Sequence, residues 1–331
     1  MNHPALLRPD EARVLARVDE MSDELCEFLA QMIRIPTVNP PGENYAECAA
    51  LVEERLLSFG YETTRLAVIE SPAHRARHPR VNVVGRFARC GPGRTVHLNA
   101  HVDVLPLSPG WTVEPFAGLV REGKIFGCGA AGGKAGLAVN LYAVEALRRA
   151  HVAFDGVIEV SATVDGESDG EAGLGHVVNV GLVRAGQTEY VCLAAACGVE
   201  RLRFDPRAWP PSEPPAATSV EGERPTFRVV TDVPMRMHLA HAMDQAIRHV
   251  LFRAPQYVVG PPVPAWAHVW RSGVRECLLY GPGRFEVAGQ PDEHCRVEDL
   301  IAGCKVLALA LLRILREEAS PMRIFRTEAP R

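Results

Sequence analysis

Residues 96–103, Val96-His97-Leu98-Asn99-Ala100-His101-Val102-Asp103, form an apolar run that ends in a His and an Asp two positions apart. Side chains on a β-strand alternate between its faces, so His101 and Asp103 leave the same face at the C-terminal end. That suits a metal-binding imidazole whose second ring nitrogen is held by a carboxylate, which fixes the tautomer and raises ligand basicity. A His and an Asp at a strand end also occur with no such role, and the pair alone does not decide. Two further stretches bear on it: Gly127-Cys128-Gly129-Ala130-Ala131-Gly132-Gly133-Lys134-Ala135-Gly136 and Val164-Asp165-Gly166-Glu167.

Outward from these motifs, apolar periodicity predicts helices over residues 25–33 (with Ser22 as N-cap), 45–59 (closed by Gly60), 134–150, 171–183 and 237–252. Strand-like runs cover 61–69, 81–87, 95–100, 157–164 and 190–195. The alternation implies an α/β fold, a mixed and mostly parallel sheet with helices on both faces. Such sheets bind ligands beyond the carboxyl ends of their strands, where His101, Glu167 and Ala195 fall.

Several motifs occur in a known order: Ile35-Pro36-Thr37-Val38-Asn39-Pro40-Pro41-Gly42-Glu43-Asn44-Tyr45, His101-Val102-Asp103-Val104-Leu105-Pro106, Trp111 with Pro115-Phe116, and Gly123-Lys124-Ile125-Phe126-Gly127. In these the chain resembles the zinc-dependent deacylase and peptidase family that includes acetylornithine deacetylase, succinyl-diaminopimelate desuccinylase, aminoacylase and glutamate carboxypeptidase. The likeness runs from about residue 22 to 200 and resumes from about 235 to 317. It implies two zinc ions sharing a bridging Asp and a water, further His and carboxylate ligands, and a Glu as general base. On this chain it makes His101 a zinc ligand, Asp103 its orienting carboxylate and Glu167 a second ligand. The same resemblance puts Gly132 at the bridging Asp, Gly166 at the general base, Ala195 at a further carboxylate ligand and Gly289 at the last His.

Zinc sites use at least three protein ligands, and two-metal sites need a bridging group. His101 and Glu167 are too few, and Gly166 offers nothing to take a proton from water, a contribution of about 10²–10⁴ in rate. Zinc is therefore not expected, and any metal would rest on His101 and Glu167. Cys128, Cys192, Cys197 and His294 lie near the vacated positions as potential substitutes. Cys128 and Cys192 read as small buried hydrophobes and His294 as a solvated loop or helix-start residue, with Lys134 structural. The string Gly127 to Gly132 matches a bare dinucleotide pattern, but it lacks the strand context and downstream acid, and Ala135 replaces the hydroxyl residue of a phosphate loop.

At 331 residues and 47% hydrophobic, with net charge −4, the chain can bury a large core and is not a natural partner for nucleic acid or anionic membrane. Nine scattered cysteines and no signal pattern in the first ten residues make the cytoplasm the expected location. The expected organisation is a first half-domain over 1–202 and a Pro-rich linker over 203–233, in place of the smaller lid and dimerisation domain of the resembled family. A second half of the same domain covers 234–318 and a tail 319–331. His238 and His241 read as a solvated or partner-facing helix face. Two functions stand: a non-catalytic binding, regulatory or assembly subunit with a protein partner or small amino-acid-like ligand, or a hydrolase of N-acylated amino acids with a rebuilt, at most one-metal site.

Overall fold

The computed structural model describes residues 7–89, 91, 93–205, 217–219, 228–230, 237–260 and 263–316. Its helices are α1 (Pro9–Glu20), α2 (Ser22–Ile33), α3 (Tyr45–Ser58), α4 (Gly133–Arg149), α5 (His176–Asn179), α6 (His238–Leu251), α7 (Pro264–Ser272) and α8 (Val297–Arg316). Strands β1 (Glu62–Ala67), β2 (Val81–Ala88), β3 (Thr95–His101), β4 (Leu119–Arg121), β5 (Lys124–Phe126), β6 (Val157–Thr163) and β7 (Tyr190–Ala194) precede α6. So do β8 (Arg201–Phe204), β9 (Ala217–Ser219) and β10 (Arg228–Val230), while β11 (Gln256–Val259), β12 (Glu276–Tyr280) and β13 (His294–Arg296) follow it.

Ten strands form one mixed sheet in the order β1-β2-β6-β3-β7-β12-β8-β11-β10-β9, and β13, β5 and β4 form a small separate one. Neighbours are parallel through β6, β3, β7 and β12, and between β8 and β11. The strands outside that centre join antiparallel. Parallel strands sit where both faces are covered, and here they are. Val96, Leu98, Ala100, Ile158, Val160 and Ala162 pack in the main core with α1, α2, α4, α6 and α8. Val84, Val191, Leu193, Cys277 and Leu279 pack on the opposite face against Leu174, Val177, Trp266 and Val269. The intervening side chains of β3 and β6, His97 and Asn99 beside Glu159, Ser161 and Thr163, are buried on that second face as polar groups.

Two sequence expectations change. The helix expected over 171–183 is a π-type turn at Glu171–Gly175 followed by the single turn of α5. Glycines are the reason: Gly173 has non-helical φ −96° and ψ −114°, and a Cβ there would meet Val164 O at 2.0 Å. The stretch read as a linker contributes β9, β10 and the end of β8 to the sheet, and apart from Asp205 its remaining residues, like the expected tail, lie outside the described ones. Helices α1, α7 and α8 and strands β4, β5 and β8 to β13 were not separately anticipated. Among the described residues no helix is long and apolar enough to cross a membrane.

Gly136 sets how closely α4 approaches the sheet, since a Cβ there would stand 2.3 Å from Ala194 Cβ on β7. Gly136→Val is expected to lower stability by about 1–3 kcal/mol through overpacking, read as a lower urea midpoint at unchanged slope.

Candidate functional site

β3 ends at His101, whose Nδ1 donates to the Asp103 carbonyl at 3.1 Å and lies 3.3 Å from Asp103 Oδ1. The Asp103 carboxylate is buried and accepts from the amides of Gly166 (2.8 Å) and Glu167 (2.9 Å), with Asn39 Nδ2 at 3.4 Å. It therefore orients the imidazole and also pins the turn that follows β6. That turn is held from its other side as well. Asp165, in the left-handed region at φ +56°, accepts from Tyr45 Oη and Arg80 Nε, each at 3.0 Å. Glu167 is thereby delivered to the carboxyl end of β3, its Oε1 3.9 Å from His101 Nε2.

Burial works against charge on the His101 imidazole, but hydrogen bonding and attraction from Asp103, with attraction from Glu167, outweigh it and raise its pKa to about 9. Burial likewise opposes ionisation of Asp103, yet His101 and the two turn amides hold its pKa below the usual carboxylate range. Glu167 goes the other way: burial pushes it up, and the pull of His101 only partly compensates.

The Gly-rich loop reaches α4 around a second buried carboxylate, Glu293, which accepts from the amides of Gly129 (3.1 Å), Ala131 (2.8 Å) and Gly289 (3.2 Å). The Gly129 and Ala131 N–H groups of the loop thus hold a side chain of the same protein. Sequence reading passed over Glu293. The available signal was that exposed amides in a glycine-rich turn need an acceptor, and a carboxylate follows Gly289 four residues on. Lys134 is structural as expected: Nζ donates to Met32 O (2.9 Å) and Ile35 O (2.8 Å) at the end of α2. Burial lowers its pKa.

His101, Gly166, Glu167 and Ala195 do come together, on the wall of a cavity of about 280 Å³. Asp103, Gly132, Gly289, Glu293 and Cys128 line a smaller one of about 40 Å³, and Glu167 borders both. The glycine positions differ in kind. A Cβ on Gly132 would meet nothing within 4 Å, whereas one on Gly166 would lie 2.4 Å from both Cβ and Cγ of His101. Gly289 has open space but a left-handed φ of +69° that disfavours a side chain.

Among the described residues, the potential substitutes are not grouped with His101 and Glu167 into a set of three donors. Cys128, Cys192 and Cys197 are buried thiols whose desolvation raises their pKa, to about 12 for Cys128 and Cys197. His294, expected in a loop or helix start, lies on β13 instead, with Nδ1 donating to Asp292 O at 2.9 Å and its ring against Phe126. The pairing of β13 with β5 makes it part of the small sheet. His238 is exposed as expected but ion-paired with Glu276 at 2.9 Å, and His241 is exposed on the same helix. Among the described residues no three His, Cys, Asp or Glu side chains are grouped to hold a metal.

Two outcomes follow. A histidine with a folded pKa raised from 6.5 to about 9 adds stability that is full below 6.5 and is lost as pH rises through 9. Urea titrations of the wild type should show that loss across pH 6.5–9, and His101→Asn should flatten it. Gly166→Glu is expected to cost about 1–3 kcal/mol from its collision with His101, read from the same titrations at fixed pH.

The comparisons with known proteins agree with this fold. Succinyl-diaminopimelate desuccinylase of Xanthomonas campestris pv. campestris is 30% identical over 186 residues, 55% of this chain and 45% of that protein. The Cupriavidus necator desuccinylase is 31% identical over 173 residues, 52% and 44% of the two chains. The match thus spans less than half the length of these curated relatives. Among solved structures, the di-peptidase Dug1p of Saccharomyces cerevisiae superposes with a TM-score of 0.75 at 13% identity, covering 92% of this chain and 98% of that one. The M20 family metallo-carboxypeptidase Sso-CP2 of Sulfolobus solfataricus gives 0.65 at 14%, covering 88% and 100%. The model of peptidase family M20/M25/M40 matches residues 97–313, from β3 into α8. With the cleft at the end of β3 and the family pattern running through most of the chain, this protein belongs to peptidase family M20/M25/M40.

Proposed function

We propose that this chain is a non-hydrolytic member of its family, retained as a binding or regulatory protein that takes a small amino-acid-like ligand in the cleft beyond β3. The observation that carries the reading is Gly166. At the position the family resemblance gives to the general base, the backbone packs so closely on His101 that a Cβ would fall 2.4 Å from it.

The donor set supports the same reading. Ligand atoms on a tetrahedral zinc stand roughly 3.4 Å apart, given metal–ligand bonds of about 2.1 Å. His101 Nε2 and Glu167 Oε1, at 3.9 Å, approximate two such vertices. Among the described residues a third is not offered, since Asp103 is engaged by two amides and His101, and Glu293 by three amides. Gly132, Ala195 and Gly289 carry no donor atom in their side chains. The residues present do not fit a zinc centre.

The second reading is a deacylase or peptidase with a rebuilt one-metal site, favoured by the surviving His101–Glu167 pair and by the likeness to desuccinylases. Metal analysis of chelator-free protein, zinc titration, and assays on N-succinyl and N-acetyl amino acids and dipeptides separate the two. The non-hydrolytic reading expects no stoichiometric zinc and no turnover. A tightly held zinc that His101→Ala abolishes, together with hydrolysis, would overturn it.

A further inference from the structure

On the second face of β3 and β6 a chain of buried polar groups runs toward the larger cavity. Glu159 Oε2 lies 3.1 Å from His97 Nδ1, and His97 Nε2 lies 2.8 Å from Ser161 Oγ. Asn99 Nδ2 then donates to Ser161 Oγ at 2.8 Å and to Thr163 Oγ1 at 3.0 Å. A carboxylate only accepts, so in the neutral imidazole Nδ1 carries the proton and Nε2 accepts from the Ser161 hydroxyl, whose lone pairs are left for Asn99. Both amide protons of Asn99 are spent inside the sheet. Its carbonyl oxygen is the polar atom that remains for the cavity, which Asn99 helps to line.

Glu167, on the same wall, is a second acceptor. Its carboxylate accepts no hydrogen bond among the described residues, and its ion pair with His101 is long at 3.9 Å. Other polar side chains of the wall are engaged. His268 Nε2 donates to Asp169 O at 2.7 Å while its Nδ1 faces Arg271, and Ser168 Oγ donates to Asp165 O at 3.0 Å. Leu193, Leu279 and Val263 make the wall otherwise apolar. Asp103 and Glu167 together outweigh any charge on His101, and about 280 Å³ suits a molecule of a few carbons.

We propose that this cavity takes a primary ammonium group on a short apolar chain, the ammonium shared between the Asn99 carbonyl and Glu167. The inference rests on the non-hydrolytic reading, because a substrate turned over at this wall would not be held as a ligand. An ammonium brings three donors and no acceptor, which matches the Asn99 carbonyl and Glu167, while His101 Nε2 on the same wall is directed to Glu167 at 3.9 Å. A carboxylate in its place would face both acceptors.

Calorimetric titration of the full chain with n-butylammonium, L-leucinamide and isovalerate tests the assignment. Both amines are expected to bind and isovalerate not to; tighter binding of L-leucinamide would identify an α-amino compound as the source, and tighter n-butylammonium a simple amine. Asn99→Leu should weaken amine binding roughly tenfold or more. Thr163→Val removes the hydroxyl that helps fix the Asn99 amide while keeping its shape, and should weaken binding as well, which preserves the test if Asn99→Leu does not fold. Isovalerate binding as well as the amines, no amine binding at millimolar concentration, or amine binding unchanged in the folded variants would overturn the proposal. Turnover with added zinc would instead overturn the non-hydrolytic reading, whatever the amines do.

Discussion

The parallel register of β3 on β6 places Leu98 opposite Val160 and Ala100 opposite Ala162 on the helix-covered face, and His97, Asn99 and His101 opposite Glu159, Ser161 and Thr163 on the other. A slip of β3 by one residue would reverse each of its side chains. It would drive the buried His97 and Asn99 into the main core and pull Val96, Leu98 and Ala100 out. Because the polar groups hydrogen-bond chiefly to one another across the pair, the register satisfies both faces at once. It also fixes where β3 ends and so where His101 stands.

Beyond that strand end, two buried carboxylates shape the cleft by capturing backbone amides. Asp103 holds the turn of Gly166 and Glu167, and Glu293 holds the Gly-rich loop together with Gly289. Burying a carboxylate is costly unless several donors meet it. Each here has at least two amides. The same captures occupy the oxygens that might otherwise have turned toward a cation, so the scaffold of the cleft and its poor donor set have one cause.

Much of this was legible in the residues. The periodicity of 45–59, 134–150 and 157–164 located α3, α4 and β6 nearly to the residue, because long amphipathic or fully buried segments leave strong local patterns. The sequence singled out His101, Asp103 and Glu167, and the fold brings them within 4 Å of one another through His101. Glu293 was missed because its partners are backbone amides, which have no signature in a sequence. The helix expected over 171–183 failed because Gly170, Gly173 and Gly175 permit close approach to neighbouring backbone and side chains, an advantage that exists only once β6 and α7 are in place.

By itself the sequence determined the α/β class, the position of the cleft at the end of β3, and the absence of donor atoms in the side chains at positions 132, 166, 195 and 289. These are properties of local pattern and of side-chain chemistry, which a chain carries before it folds. Only the tertiary structure decided that Gly132 faces open space while Gly166 is closed by His101, and that Asn99 spends its amide protons within the sheet. Those outcomes depend on how close segments remote in sequence come to one another, and that distance is set by packing of the whole sheet against its helices.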